Sequence, residues 1–185
     1  MAATDVPIES VLAHPVFARF YACAEHWAGR FKLLRDALGT DCVIQHFVDE
    51  EGRLWMRAHA GDGRRNEDWF GWGEDVLSPC DCRVIGVHEN NTVNEPGVLG
   101  TPPASSVVLR RDDGVHVMLA HVAAVSVKEG DLLARGQVFA QVGNNGMSRH
   151  PHIHVGAWKD KQPLQIRFDQ VAMRALAERE IARLR

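Results

Sequence analysis

Ten histidines stand in this chain, and three of them fall in the single run His150-Pro151-His152-Ile153-His154. On an extended strand His152 and His154 project from one face with their Cα atoms about 7 Å apart, so two imidazoles can reach a common point. Imidazole is a frequent metal ligand and moves protons near neutral pH. A His-rich surface loop would have no reason to repeat with a period of two, which favours a metal site over the blander reading. The turn Gly143-Asn144-Asn145-Gly146 precedes the run. His121 closes the apolar run Val117-Met118-Leu119-Ala120, and glycine turns at Gly130-Asp131 and Gly136-Gln137 fold the chain back towards it. Alone, such a histidine reads as structural; beside the other two it becomes a third imidazole for the same point.

The elements that must carry these residues are mostly strands. Short runs rich in Val, Ile and Leu, such as Cys82 to Val87, Ser106 to Arg110, His116 to His121 and Gln137 to Val142, are separated by Gly, Pro, Asn and Asp, the texture of an all-β core. Long polar connections, Arg57 to Gly73 and Glu89 to Ser105, are where a site would be built on such a core. Before the strands, Phe17, Phe20, Tyr21, Ala24, Trp27, Phe31 and Leu34 recur at three- and four-residue steps, which predicts a helix from Pro15 to Leu38 ended by Gly39. After them, Asp169 predicts a cap for a helix reaching Leu184, with Met173, Leu176, Ala177, Ile181 and Leu184 on one side. The expected organisation is therefore an N-terminal helical extension over 1–39, a β domain over 40–168 and a C-terminal helix over 169–185.

The remaining clusters are weaker. Cys80-Asp81-Cys82 could bind metal or form a redox pair, but with no second pair nearby reduced packing thiols are the expectation. Trp69, Phe70 and Trp72 fit a core lid or a wall of a substrate groove. Among 185 residues, 45% are hydrophobic and 24% charged, with net charge −3, which excludes disorder and argues against a nucleic-acid footprint. No apolar stretch approaches the roughly 18 to 20 residues of a spanning helix, and the N-terminus has no cationic start followed by an apolar block. The expectation is a cytoplasmic chain with no membrane and no nucleic-acid partner, its cysteines reduced.

The run LAHVAAVSVKEGDLLARGQVFAQVGNNGMSRHPHIHV resembles the C-terminal half of the lysostaphin-type zinc metallopeptidases, the glycylglycine or murein endopeptidase family, and Asn66 to Val87 resembles the preceding strand-turn-strand. The resemblance covers roughly Asn66 to Trp158. It implies a mainly β fold, an antiparallel sheet core like the duplicated hybrid motif, here flanked by N- and C-terminal α-helices, with a groove over one zinc ion. It implies that His154 ligates the zinc, while His152 and His121 polarise the attacking water and stabilise the oxyanion. Zinc lowers the pKa of bound water to about 7, and adjacent imidazoles move the protons.

The family's other two ligands lie in a His-x-x-x-Asp motif, which does not occur in this chain. Its local context best fits Thr40 to Val48, where Cys42 stands for the His and His46 for the Asp. The expected ligand set is thus Cys42, His46 and His154. A thiolate would make the metal a weaker Lewis acid, and His46 with Glu50, or the near miss His59 and Asp62, are alternatives. The implied activity is hydrolysis of an amide in a peptide or small amide substrate. A cytoplasmic metalloenzyme acting on a small molecule, or a non-catalytic binding member of the fold, is the competing expectation. A biotinyl or lipoyl carrier is excluded because no Lys lies between Gln137 and Met147.

Overall fold

The computed structural model describes residues 7–28 and 34–184. In chain order the strands are β1 (Ser10–Ala13), β2 (Tyr21–Glu25), β3 (Thr40–Ile44), β4 (His46–Glu50), β5 (Arg53–Arg57), β6 (Asp75–Leu77) and β7 (Cys82–His88). There follow β8 (Ser106–Arg110), β9 (His116–Ala120), β10 (Val122–Ala123), β11 (Leu132–Leu133), β12 (Val138–Val142), β13 (Ile153–Lys159) and β14 (Gln162–Phe168), then helix α1 (Gln170–Ala182). The all-β core expected from the run texture, largely antiparallel as the family resemblance implies, is what the chain adopts.

The main sheet has the order β1-β14-β13-β9-β8-β7-β11, with β3 joined to β13 and β2 joined to β3. A small sheet β10-β12-β6 and the hairpin β4-β5 complete the strands. Val84, Val107, Leu109, Leu119, Phe139, Ile153 and Val155 are fully buried in the core. Each such side chain contributes on the order of 1.5–3 kcal/mol by leaving water. Alternation along β3, with Thr40, Cys42 and Ile44 buried and Asp41 and Val43 half-buried, leaves Asp41 on the face opposite Cys42.

Strand β13 is the pivot of the sheet. Along one side it pairs with β9 from His154 to Trp158. Along the other it pairs first with β3, over Ile153 to Val155, and then with β14, over Ala157 to Lys159. Gly156 lies where the partner changes. The turn residue Asp36 enters at that gap: a Cβ added to Gly156 would sit 2.7 Å from Asp36 Oδ2.

The C-terminal helix forms as expected, with Asp169 accepting from the backbone N–H groups of Val171 and Ala172. The helix expected from Pro15 to Leu38 does not form among the described residues of that span. Residues 10–13 and 21–25 are strands, β1 running parallel to β14 and β2 antiparallel to β3, so the segment expected as a helical extension supplies two strands of the main sheet. Phe31, part of the expected stripe, lies outside the described residues. The three- and four-residue spacing is met another way: Phe17 and Tyr21 are buried with their rings edge-on at 5.1 Å, and Phe20 stacks on Phe47. Sheet pairing supplied partners that the local pattern could not reveal.

Candidate metal centre

Register alone assembles the site. His154 on β13 stands directly opposite Asp41 on β3 and opposite Ala120 on β9, and the residue after Ala120 is His121. Across the β2–β3 hairpin Ala24 pairs with Asp41. His26 lies two residues further along, its N–H bonded to the Gly39 carbonyl at 2.8 Å, so its side chain is the diagonal neighbour of Asp41 on the same face. Among the described residues, His26, Asp41 and His154 are the group whose three ligand atoms lie within 4.8 Å of one another.

Asp41 takes both imidazoles. Its Oδ1 is 2.9 Å from His154 Nδ1 and its Oδ2 is 3.2 Å from His26 Nε2. The other nitrogen of His154, Nε2, is 2.8 Å from Asp36 Oδ2. A side chain on Gly39 would forbid this arrangement, because its Cβ would lie 2.6 Å from His154 Cε1; with hydrogen there, the His26 and His154 rings stack with centroids 5.1 Å apart. Burial opposes a charge on His154, but its bonds to Asp36 and Asp41 overcome that and raise its pKa from 6.5 to about 9. Asp36 and Asp41 are held below the usual carboxylate range: burial pushes each upward, and their bonds to the imidazoles outweigh it. A buried and a half-buried carboxylate, Asp36 and Asp41, clasp one imidazolium and make a pocket that stabilises positive charge.

Two more imidazoles face this group. His121 sits at φ 65°, a conformation uncommon for a non-glycine residue and frequent at functional sites. The turn it makes is fixed by the Gly143 N–H bonding the His121 carbonyl. His121 Nδ1 donates to the Asn145 carbonyl at 2.7 Å, and Asn145 is itself pinned, its Oδ1 accepting from Ser105 N–H and its Nδ2 donating to the Val122 carbonyl. His152 Nδ1 donates to the His150 carbonyl at 2.8 Å. Both rings therefore turn an unprotonated Nε2 outward, and His152 Nε2 lies 3.8 Å from Asp41 Oδ1. Their centroids are 4.5 Å apart. Burial, reinforced by neighbouring histidines, lowers their pKa values to about 3 for His121 and about 4 for His152, so both are neutral bases at pH 7.

Of the residues singled out from the sequence, His121, His152 and His154 are brought together. Cys42 and His46, expected as ligands beside His154, are not placed with them. Cys42 pairs with Ile153, one register step from His154, and a step of one residue on a strand puts its thiol on the opposite, buried face. His46, on β4, stacks on Phe70 at 3.9 Å and bonds the Arg19 guanidinium. The alternatives fare no better: Glu50 is exposed and pairs with Arg57, Asp62 pairs with Arg64, and His59 packs on Trp69. Trp69 in turn stacks on His150 at 4.5 Å, and the His150 ring lies 5.1 Å from that of His152, which puts Trp69 beside the site.

His26, Asp36 and Asp41 were missed by sequence reasoning. A signal existed for Asp41: Cys42 and Ile44 share an apolar period of two, which turns residue 41 to the other face. For His26 no local spacing could serve, because it meets Asp41 across a hairpin, 15 residues away.

The chain is similar to known proteins over part of its length. The model of Peptidase family M23 matches residues 69–166, a little over half of the chain. A DD-carboxypeptidase/endopeptidase of Neisseria meningitidis is 37% identical over 60 residues, covering 32% of this chain and 14% of the relative. Among solved structures, a mutant catalytic domain of the prophage-encoded M23 protein EnpA from Enterococcus faecalis superposes with a TM-score of 0.52 at 17% identity, covering 82% of this chain and 93% of that one. A zinc containing peptidase from Vibrio cholerae is similar at a TM-score of 0.41 and 20% identity, over 73% of this chain and 46% of that one. The matched region is thus a small part of the Neisseria protein and about half of the Vibrio chain.

Proposed function

Because the chain belongs to peptidase family M23, we propose that it is a zinc-dependent hydrolase of amide bonds, with His26, Asp41 and His154 as the ligands and His121 and His152 as the proton-handling residues. The observation that carries this reading is the convergence of two imidazole nitrogens and a carboxylate oxygen within 4.8 Å, facing two neutral imidazoles. The donor set fits the ion. Two nitrogens and one oxygen are borderline ligands that zinc accepts, and three protein ligands leave a position open, as in catalytic rather than structural zinc sites. The doubly clasped His154 also fits, since a divalent cation would replace the proton on its Nδ1 while Asp36 keeps the proton on Nε2. A carboxylate behind a ligating imidazole fixes its tautomer and raises its basicity.

Zinc in this position supplies Lewis acidity, which polarises a carbonyl and acidifies water. The chain's own residues do the rest. His121 and His152, each tied through Nδ1–H to a backbone carbonyl, present Nε2 as a base that takes a proton from water and returns it to the leaving amine. Once protonated, the same Nε2–H atoms are donors for the negative charge that develops on the carbonyl oxygen. The Trp69–His150 stack supplies a flat apolar wall next to these bases. A peptide is the substrate class that family membership and the name of the Neisseria relative support.

The test is elemental analysis of purified protein followed by an assay against peptidoglycan fragments, glycine-rich peptides and small amides. About one equivalent of zinc and cleavage that is lost in Asp41→Asn are expected. Less than a tenth of an equivalent of any transition metal, after incubation with zinc, would end the metalloenzyme reading.

A further inference from the structure

Outside the candidate metal centre, two thiols face each other across the β2–β3 hairpin. Cys23 and Cys42 are direct partners in the antiparallel register, and their Sγ atoms are 3.9 Å apart. The kind of pair follows from two backbone bonds. Gln45 N–H bonds the Phe20 carbonyl, and His26 N–H bonds the Gly39 carbonyl, so hydrogen-bonded pairs fall at residues 20, 22, 24 and 26 of this strand. Residue 23 is then in a non-hydrogen-bonded pair, where the Cα atoms come to about 4.5 Å and side chains are closest. That spacing is inside the range a disulfide spans, and bond formation at about 2.05 Å needs the sulfur atoms to close by about 1.9 Å, within reach of side-chain rotation.

The two thiols differ in access. Cys23 is exposed and Cys42 is buried. An oxidant therefore meets the exposed Cys23 sulfur first and finds its partner already in contact.

We propose that Cys23 and Cys42 are a thiol–disulfide modification site, oxidised by hydroperoxides, whose closure fastens the strand leading into His26 to the strand carrying Asp41. The Cys23 thiolate attacks one peroxide oxygen, giving the sulfenic acid and, with a proton, one hydroxyl product. The Cys42 sulfur then attacks the Cys23 sulfur, its proton leaving with the hydroxyl as water. Two thiols and one hydrogen peroxide give one disulfide and two waters. The disulfide itself does not rest on the metal reading.

The experiment treats the reduced full-length chain, with chelator present, with one to five equivalents of hydrogen peroxide. The expected result is a mass loss of about 2 Da, a fall in titratable thiols from four to two in denaturant, and a protease fragment in which Cys23 and Cys42 are linked. Dithiothreitol should reverse all three, and backbone amide exchange in β2 and β3 should slow in the oxidised form. Cys23→Ser, at an exposed position that tolerates the change, should abolish the linkage; the double variant Cys80→Ser/Cys82→Ser should retain it. Four remaining thiols, a linked fragment joining Cys80 to Cys82 instead, or over-oxidation of Cys23 with Cys42 left free would each overturn the proposal.

Discussion

Replacing Gly156 by alanine tests how the candidate metal centre is held together from a position that touches no ligand. The added methyl would lie 2.7 Å from Asp36 Oδ2 and 2.9 Å from Asp36 Cγ, whereas non-bonded heavy atoms rest about 3.5–4.0 Å apart. The Asp36 turn must retreat by about 1 Å. The 2.8 Å bond from His154 Nε2 to Asp36 then opens to about 3.8 Å and ceases to be a hydrogen bond. Loss of a partner behind a ligating imidazole costs about 10- to 100-fold in metal affinity. Overpacking adds about 1–3 kcal/mol of destabilisation, which for a chain of this size lowers Tm by roughly 2–10 °C. Zinc affinity would be read by competition with a chromophoric chelator, and stability by thermal unfolding of the metal-free protein. Gly86→Ala is the control, because its methyl meets Val108 Cβ only at 3.9 Å; it should leave zinc affinity at the wild-type value. Zinc affinity of Gly156→Ala within twofold of wild type, in a folded protein, would refute the view that Asp36 positions His154.

The other expectations follow from the same geometry. Asp41→Asn should reduce zinc stoichiometry to near zero, while Cys42→Ser, whose side chain faces the core, should keep it at one; equal loss in both, measured by elemental analysis on folded protein, would return Cys42 to the ligand set. His121→Ala should lower kcat on the order of a hundredfold or more with zinc still bound, and full turnover would remove His121 from the reaction. In the metal-free protein, His154 has its pKa raised from 6.5 to about 9 by its carboxylate partners, against the effect of burial. Its protonation thus contributes stability that is complete below pH 6.5 and is lost as pH rises through about 9. Denaturant unfolding in chelator from pH 6 to 10 should show that decline, and wild-type-like slopes in His154→Gln would show that another group is responsible.

Much of the fold and half of the site could be read along the chain. Alternating apolar runs and glycine turns specify strands wherever one face is buried, so β7, β8, β9 and β12 were visible locally, and Asp169 announced α1 through the donors it caps. The His-x-His period placed His152 and His154 on one face because side chains on a strand alternate, and that holds whatever the partners of the strand. Residues 15–28 were misread for the complementary reason. Their apolar spacing satisfies a helix, and only pairing of Tyr21 to Glu25 with β3 decides for a strand. The proposed ligand set rests on the same level of structure. Cys42 and Asp41 are adjacent in sequence, and the sheet's pleat alone determines which faces His154. His26 and Asp36 reach the centre through a hairpin register and through the gap at Gly156 where β13 changes partners, distances in space that no spacing along the chain encodes.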